Sequence, residues 1–205
     1  MVRVKICGIT NLEDALFSVE SGADAVGFVF YPKSKRYISP EDARRISVEL
    51  PPFVFRVGVF VNEEPEKILN VASYVQLNAV QLHGEESIEL CRKIAERILV
   101  IKAVGVSNER DIERALNYRE FPVLLDTKTP EYGGSGKTFD WSLILPYRDR
   151  FRYLMLSGGL NPENVRSAID VVRPFAVDVS SGVEAFPGKK DHDSIKMFIK
   201  NAKGL

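Results

Sequence analysis

Eight short apolar runs, each followed by a stretch with helical spacing, constrain this chain of 205 residues more than any other feature. In order the runs are "VRVKIC", "DAVGFVF", "FRVGVFV", "NAVQLH", "ILVIKAV", "FPVLLD", "RYLMLSGG" and "FAVDVSSG". They are rich in Val, Ile, Leu and Phe, as parallel strands buried on both faces must be.

The intervening stretches carry helix punctuation. "TNLEDALFSVESGA" opens with a capping box of Thr10 and Glu13 and stops near Gly22. "SPEDARRISVEL" has Ser39 as cap and Pro40 at the first helical position, and "NPENVRSAIDVV" repeats the device with Asn161 and Pro162. "EEPEKILNVASYV", "EESIELCRKIAE" and "NERDIERALNY" are amphipathic, and "FDWSLILP" is the shortest of the set. "HDSIKMFIKNA" turns Ile195, Phe198, Ile199 and Ala202 to one face. The reading is an α/β chain folded as a minimal (β/α)8 TIM barrel, one domain over 1–205. An open doubly wound sheet is the runner-up, but "CGITNLED" lacks its glycine fingerprint.

Composition narrows the function. Lys plus Arg and Asp plus Glu are 28 each, so the formal net charge is zero and neither nucleic acid nor an anionic membrane is expected as partner. No apolar run is long enough to span a bilayer. The two cysteines, Cys7 and Cys91, form no CxxC, and the two histidines are His83 and His192. A disulfide framework and a metal site are therefore not expected, and a reducing cytoplasm is the expected setting. Cys91, beside Leu90 in a helix, reads as packing, and His192 as a surface residue.

Barrel enzymes build their sites at the carboxyl ends of the strands. Those positions here hold Cys7, Arg36 in "YPKSKR", His83, Asp126, "SGG" at Ser157–Gly159 and "SSG" at Ser180–Gly182. Gly158, Gly159, Ser180, Ser181 and Gly182 form two loops whose free N–H groups suit a phosphate, although each could be an ordinary tight turn. Asp126 suits a general acid or base, a cation partner or a cap. His83, with Gln81 on the same strand face, suits either catalysis or a pocket wall. Arg36 suits a planar carboxylate, or a solvated loop. "GGSGKT" at Gly133–Thr138 has Glu131 where a nucleotide P-loop requires glycine, and reads as a loop near the site that could act as a lid. Lys5 lies two residues before Cys7, and Asp178 two before Ser180. On neighbouring first and last strands both then point inward, within ion-pair range, with the ammonium below the thiol.

Taken together, "KICGIT", "ADAVGFVFYPKSKRYIS", "VGVFVN", "VQLHG", "LLDT" with "GGSGKTFDW", "LSGGLNPENV" and "VDVSSGVE" leading to "PGKKD" resemble the phosphoribosylanthranilate isomerase family over almost the whole chain. The resemblance implies a cofactor-free Amadori rearrangement in tryptophan biosynthesis. Its small-molecule substrate is N-(5-phosphoribosyl)anthranilate. It further implies Cys7 as general base and Asp126 as general acid. Beside them Arg36, Gln81 and His83 are expected on the substrate and the two glycine loops on its phosphate, with Lys5 and Asp178, placed by strand alternation, in support. A free thiol titrates near about 8.5, so a nearby cation would favour the thiolate. Within the same fold class a phosphosugar epimerase or synthase is the alternative, and outside it a non-catalytic phosphate-ligand binding protein.

One stretch points to assembly. "ELPPFVFRVGVF" brings Phe53, Val54 and Phe55 to the end of the barrel opposite the site. Three outcomes are open: the rings plug the barrel bottom, lie exposed, or enter a second copy in a homodimer through the Phe53–Phe55 region.

Overall fold

The computed structural model describes residues 1–128 and 138–204. All of "GGSGKT" except Thr138 lies outside them, so the reading of that stretch as a lid does too.

Eight parallel strands close into a barrel in sequence order: β1 (Arg3–Cys7), β2 (Ala25–Val29), β3 (Phe55–Phe60), β4 (Ala79–Leu82), β5 (Leu99–Val106), β6 (Val123–Thr127), β7 (Leu154–Leu156) and β8 (Ala176–Val179). The closure is the pairing of β1 with β8, in which Lys5 stands opposite Asp178. Around the barrel lie α1 (Leu12–Glu20), α2 (Pro40–Glu49), α3 (Pro65–Val75), α4 (Ile88–Ala95), α5 (Glu109–Ala115), α6 (Val165–Val172) and α7 (His192–Lys203). The caps are local chemistry: Ser39, Ser87 and Asp191 each accept a backbone N–H three residues on, opening α2, α4 and α7.

Strand alternation divides the core in two. Val4, Ile6, Val26, Phe28, Val80, Leu82, Val123 and Leu125 face the helices and join the large outer cluster. Val57, Ala79, Ile101, Ala103, Leu124, Met155 and Ala176 form a separate, smaller cluster inside the barrel. A third, of Cys7, Val29 and Val59 with Tyr31, sits above it. Period two thus places apolar side chains on both faces and carries Lys5 and Asp178 inward on one of them.

Four local expectations are corrected. The cap of α1 is Asn11, whose Oδ1 accepts from Asp14 N, while Thr10 Oγ1 turns away to donate to Gly188 O. After Pro162 the chain makes a turn, with Asn161 Oδ1 accepting from Glu163 N and Asn164 N, and α6 begins only at Val165. "FDWSLILP" forms a single 3-10 turn, Trp141–Ile144, with Asp140 as its cap. His192 is half-buried: it stacks on Phe17 at 3.9 Å and its Nε2 lies 3.0 Å from Asp14 Oδ1. Cys91 is buried among helix-facing residues, as its position in α4 indicates.

The barrel bottom is not plugged. Phe53 is 99% exposed and Phe55 39%, while only Val54 between them is buried. The two rings border an open apolar cavity of about 630 Å³, shared with Val57, Ile101, Met155 and Phe175. Beyond β8 the chain adds an antiparallel hairpin that the apolar-run pattern does not announce, β9 (Glu184–Phe186) with β10 (Lys189–Lys190).

Candidate active site

A cleft at the carboxyl ends of the strands gathers Cys7 from β1, Arg36 from the loop after β2, Gln81 and His83 from β4, Asp126 from β6, Ser157–Gly159 after β7, and Ser180 and Ser181 after β8. Eight parallel strands deliver these residue types to one face because every strand ends there. Gly182 stands just behind the cleft, packed so closely that a Cβ on it would lie 1.9 Å from Leu160 O. Lys5 lies beneath, only 1% exposed.

Cys7 sits over the ion pair that the register argument places below it. Lys5 Nζ donates to Asp178 Oδ1 at 2.8 Å, and Ser157 Oγ reaches Asp178 Oδ2 at 3.4 Å. Burial alone would lower the Lys5 ammonium, but Asp178 and the thiol outweigh it and hold Lys5 above its ordinary value. The thiol goes the other way to the thiolate expectation. Burial pushes Cys7 up, and the opposing charges of Lys5 and Lys190 do not cancel that effect. The thiol is therefore held above its ordinary value, because desolvation is the larger force. Space for the pair is made by Gly27 on β2, where a Cβ would lie 2.8 Å from Cys7 Sγ and 3.1 Å from Lys5 Nζ.

Asp126 is held from two sides. Its Oδ1 accepts the N–H of Thr127 at 2.7 Å, and its Oδ2 lies 3.3 Å from His83 Nε2. Gln81 Nε2, a donor only, lies 3.1 Å from His83 Nδ1. The imidazole thus lies between the Gln81 amide and the Asp126 carboxyl and links the two. Gly158, at φ +86°, packs against the same carboxylate: a Cβ there would lie 2.4 Å from Thr127 N and 2.9 Å from Asp126 Oδ1. Gln81 Oε1 and Ser180 Oγ are buried with no hydrogen-bond partner among the described residues, so both can serve a ligand.

Arg36 is not a free solvated arm. Its Nε and Nη2 donate to Glu184 at 2.9 and 2.7 Å, and Glu184 accepts from Lys190 Nζ at 2.9 Å. Sequence reasoning missed Glu184 and Lys190. Lys190 lies in "PGKKD", a stretch compared with the family but not assigned a role. Lys102 was missed as well. It is buried, and its Nζ donates to Gly84 O at 2.7 Å and Glu86 Oε2 at 2.9 Å, which fixes the loop after His83. A lysine inside the apolar run "ILVIKAV" was the available signal.

The family described as N-(5'-phosphoribosyl)anthranilate (PRA) isomerase matches residues 4–201. The chain is 98% identical to the N-(5'-phosphoribosyl)anthranilate isomerase of Thermotoga maritima over all 205 residues, the full length of both. It is similar to a phosphoribosyl anthranilate isomerase solved in complex with reduced 1-(o-carboxyphenylamino)-1-deoxyribulose 5-phosphate, at 92% identity, TM-score 0.94 and full coverage of both chains. It is also similar to monomers generated from a dimeric isomerase of Thermotoga maritima, at 91% identity, TM-score 0.94 and full coverage of both chains. With its barrel, its cleft and its full-length match, this chain belongs to the phosphoribosylanthranilate isomerase family.

Proposed function

We propose that this chain isomerises N-(5'-phosphoribosyl)anthranilate, in tryptophan biosynthesis, with Cys7 as base and Asp126 as acid. The single observation that carries the assignment of roles is that a thiol and a carboxylate line one cleft from the carboxyl ends of two strands that are not neighbours, β1 and β6. Asp126, entering as the carboxylic acid, gives its proton to the ribose ring oxygen, the ring opens, and the nitrogen becomes a Schiff-base cation. Cys7, acting as the thiolate once its own proton has left to solvent, takes the proton from carbon 2, and the resulting enolamine tautomerises to the ketone. The steps move only protons, so they call for no cofactor. The cation formed in the first step offsets the burial that pushes the Cys7 thiol up.

Arg36 meets the anthranilate carboxylate and the N–H groups of Gly158, Gly159, Ser180 and Ser181 meet the phosphate, with Gly182 allowing the two loops to touch. His83 and Gln81 hold Asp126 in its orientation. Turnover of the fluorescent substrate tests the reading. Cys7→Ala and Asp126→Asn each lower kcat about a hundredfold or more with substrate binding retained. Near-wild-type turnover in either variant removes that residue from its role.

We also propose that two copies pair through the barrel bottom, since Phe53 and Phe55 lie exposed around an apolar cavity and a relative of 91% identity is described as dimeric. Both cysteines are free, which suits a chain working in the cytoplasm.

A further inference from the structure

The hairpin of β9 and β10 carries a buried charge cluster that the acid–base steps do not use. Glu184 and Lys190 face each other across the hairpin as register partners. Their side chains are 4% and 0% exposed, so the pair is sealed from solvent beneath the cleft rim. Glu184 grips Arg36 along one edge of the guanidinium, through Nε at 2.9 Å and Nη2 at 2.7 Å. The side left to meet a ligand is the end of the fork, Nη1 with the outer N–H of Nη2. Lys190 Nζ also donates to Ser180 O at 3.2 Å, in the loop assigned to the phosphate. The hairpin itself is tied to the start of α1: Asp14 accepts from Lys190 N at 2.9 Å and from Lys189 Nζ at 2.8 Å.

Resting on the reading of Arg36 and the Ser180 loop given above, we infer that Glu184 and Lys190 are positioning residues that register the two anionic ends of the substrate against each other. Glu184 fixes the direction in which Arg36 presents its free end. Lys190 links that carboxylate to the backbone of the phosphate loop. A guanidinium with five donors on a flexible stem reaches a carboxylate in many ways, and holding one edge leaves one. The charges also add usefully. Arg36 with Glu184 alone is a neutral pair, whereas Lys190 restores a net positive charge between two anionic groups of a ligand.

The test compares two probes: reduced 1-(2-carboxyphenylamino)-1-deoxyribulose 5-phosphate and its phenylamino counterpart without the carboxylate. The wild type binds the first about tenfold or more tightly than the second, as a charge-assisted pair requires. In Glu184→Gln that preference falls to about twofold or less, while affinity for the phenylamino probe is unchanged and KM rises more than kcat falls. General loss of structure would weaken both probes together. Glu184→Asp, which keeps the charge and retracts the grip, shows the same loss of preference, and it stands in if Glu184→Gln does not fold. Lys190→Met weakens both probes, because it also releases the Ser180 loop. An unchanged preference in folded Glu184 variants overturns the role of Glu184, and unchanged affinity for both probes in Lys190→Met overturns that of Lys190. A wild type without any carboxylate preference refutes the assignment of Arg36, and this inference with it.

Discussion

A buried thiol is a poor base until something stabilises its negative charge. At Cys7 burial exceeds the help from Lys5, and the thiol is held above its ordinary value. The reactive form of a thiol is the thiolate, so the rate at which iodoacetamide alkylates Cys7 in the free protein climbs with pH as the thiolate fraction grows. A profile of that rate from about pH 6 to 9 therefore rises without reaching a plateau. Replacing the ion pair together, Lys5→Met with Asp178→Asn, moves that rise to still higher pH by removing the cation without stranding a buried carboxylate. A flat profile in the wild type excludes a titrating Cys7. Gly27 is the neighbouring test of geometry. A methyl there would lie 2.8 Å from Cys7 Sγ, too close to be accommodated without moving the sulfur or Lys5. Gly27→Ala lowers kcat about tenfold or more, on the scale of a small misplacement of a catalytic group, with the fold retained by circular dichroism.

Among the elements, α1 and the β9–β10 hairpin meet through Asp14, which is fully buried. Burial works against its charge, but hydrogen bonds from Lys189, Lys190 N, Asn11 and His192 prevail and hold its carboxyl below the ordinary range. A folded-state value below the unfolded one stabilises the fold at neutral pH. That contribution is present above the unfolded value and is lost as pH falls through the depressed folded value. Asp14→Asn then costs about 2 kcal/mol in urea unfolding near pH 7. The gap to wild type closes as pH falls through the depressed folded value and the native carboxylate is itself protonated. A gap independent of pH would mean that shape, not charge, joins the two elements. The outcome matters for the site because the same hairpin carries Glu184, the partner of Arg36.

For the whole molecule, the barrel presents two unlike ends. The carboxyl end is polar and holds the cleft, and the amino end exposes Phe53, Phe55, Leu99 and Phe175. Each ring buried in an interface contributes about 1.5–3 kcal/mol. Pairing through that end leaves both clefts open, since they lie on the opposite face. Sedimentation at micromolar concentration shows a dimer for the wild type, and Phe55→Glu shows a monomer that melts lower yet turns over substrate. A wild type that sediments as a monomer ends the pairing.

The amino-acid sequence by itself determined the strand–helix alternation, the closed barrel and the placing of Cys7, His83 and Asp126 at one end. These follow from local periods and chain direction, as does the facing of Lys5 and Asp178, which needs only period two and the neighbourhood of first and last strands. Tertiary structure alone decided the rest. Arg36 and Glu184 are 148 residues apart, and Asp14 and Lys189 are 175 apart. All four side chains leave from loops, helix starts or a hairpin edge, where no repeating period sets their direction. The upward push on the Cys7 thiol was equally out of reach, because a lysine two residues away signals a cation but not the depth at which both are buried. The open bottom was undecided for the same reason: whether Phe53 covers the barrel or leaves it bare depends on the path of a short connection through space.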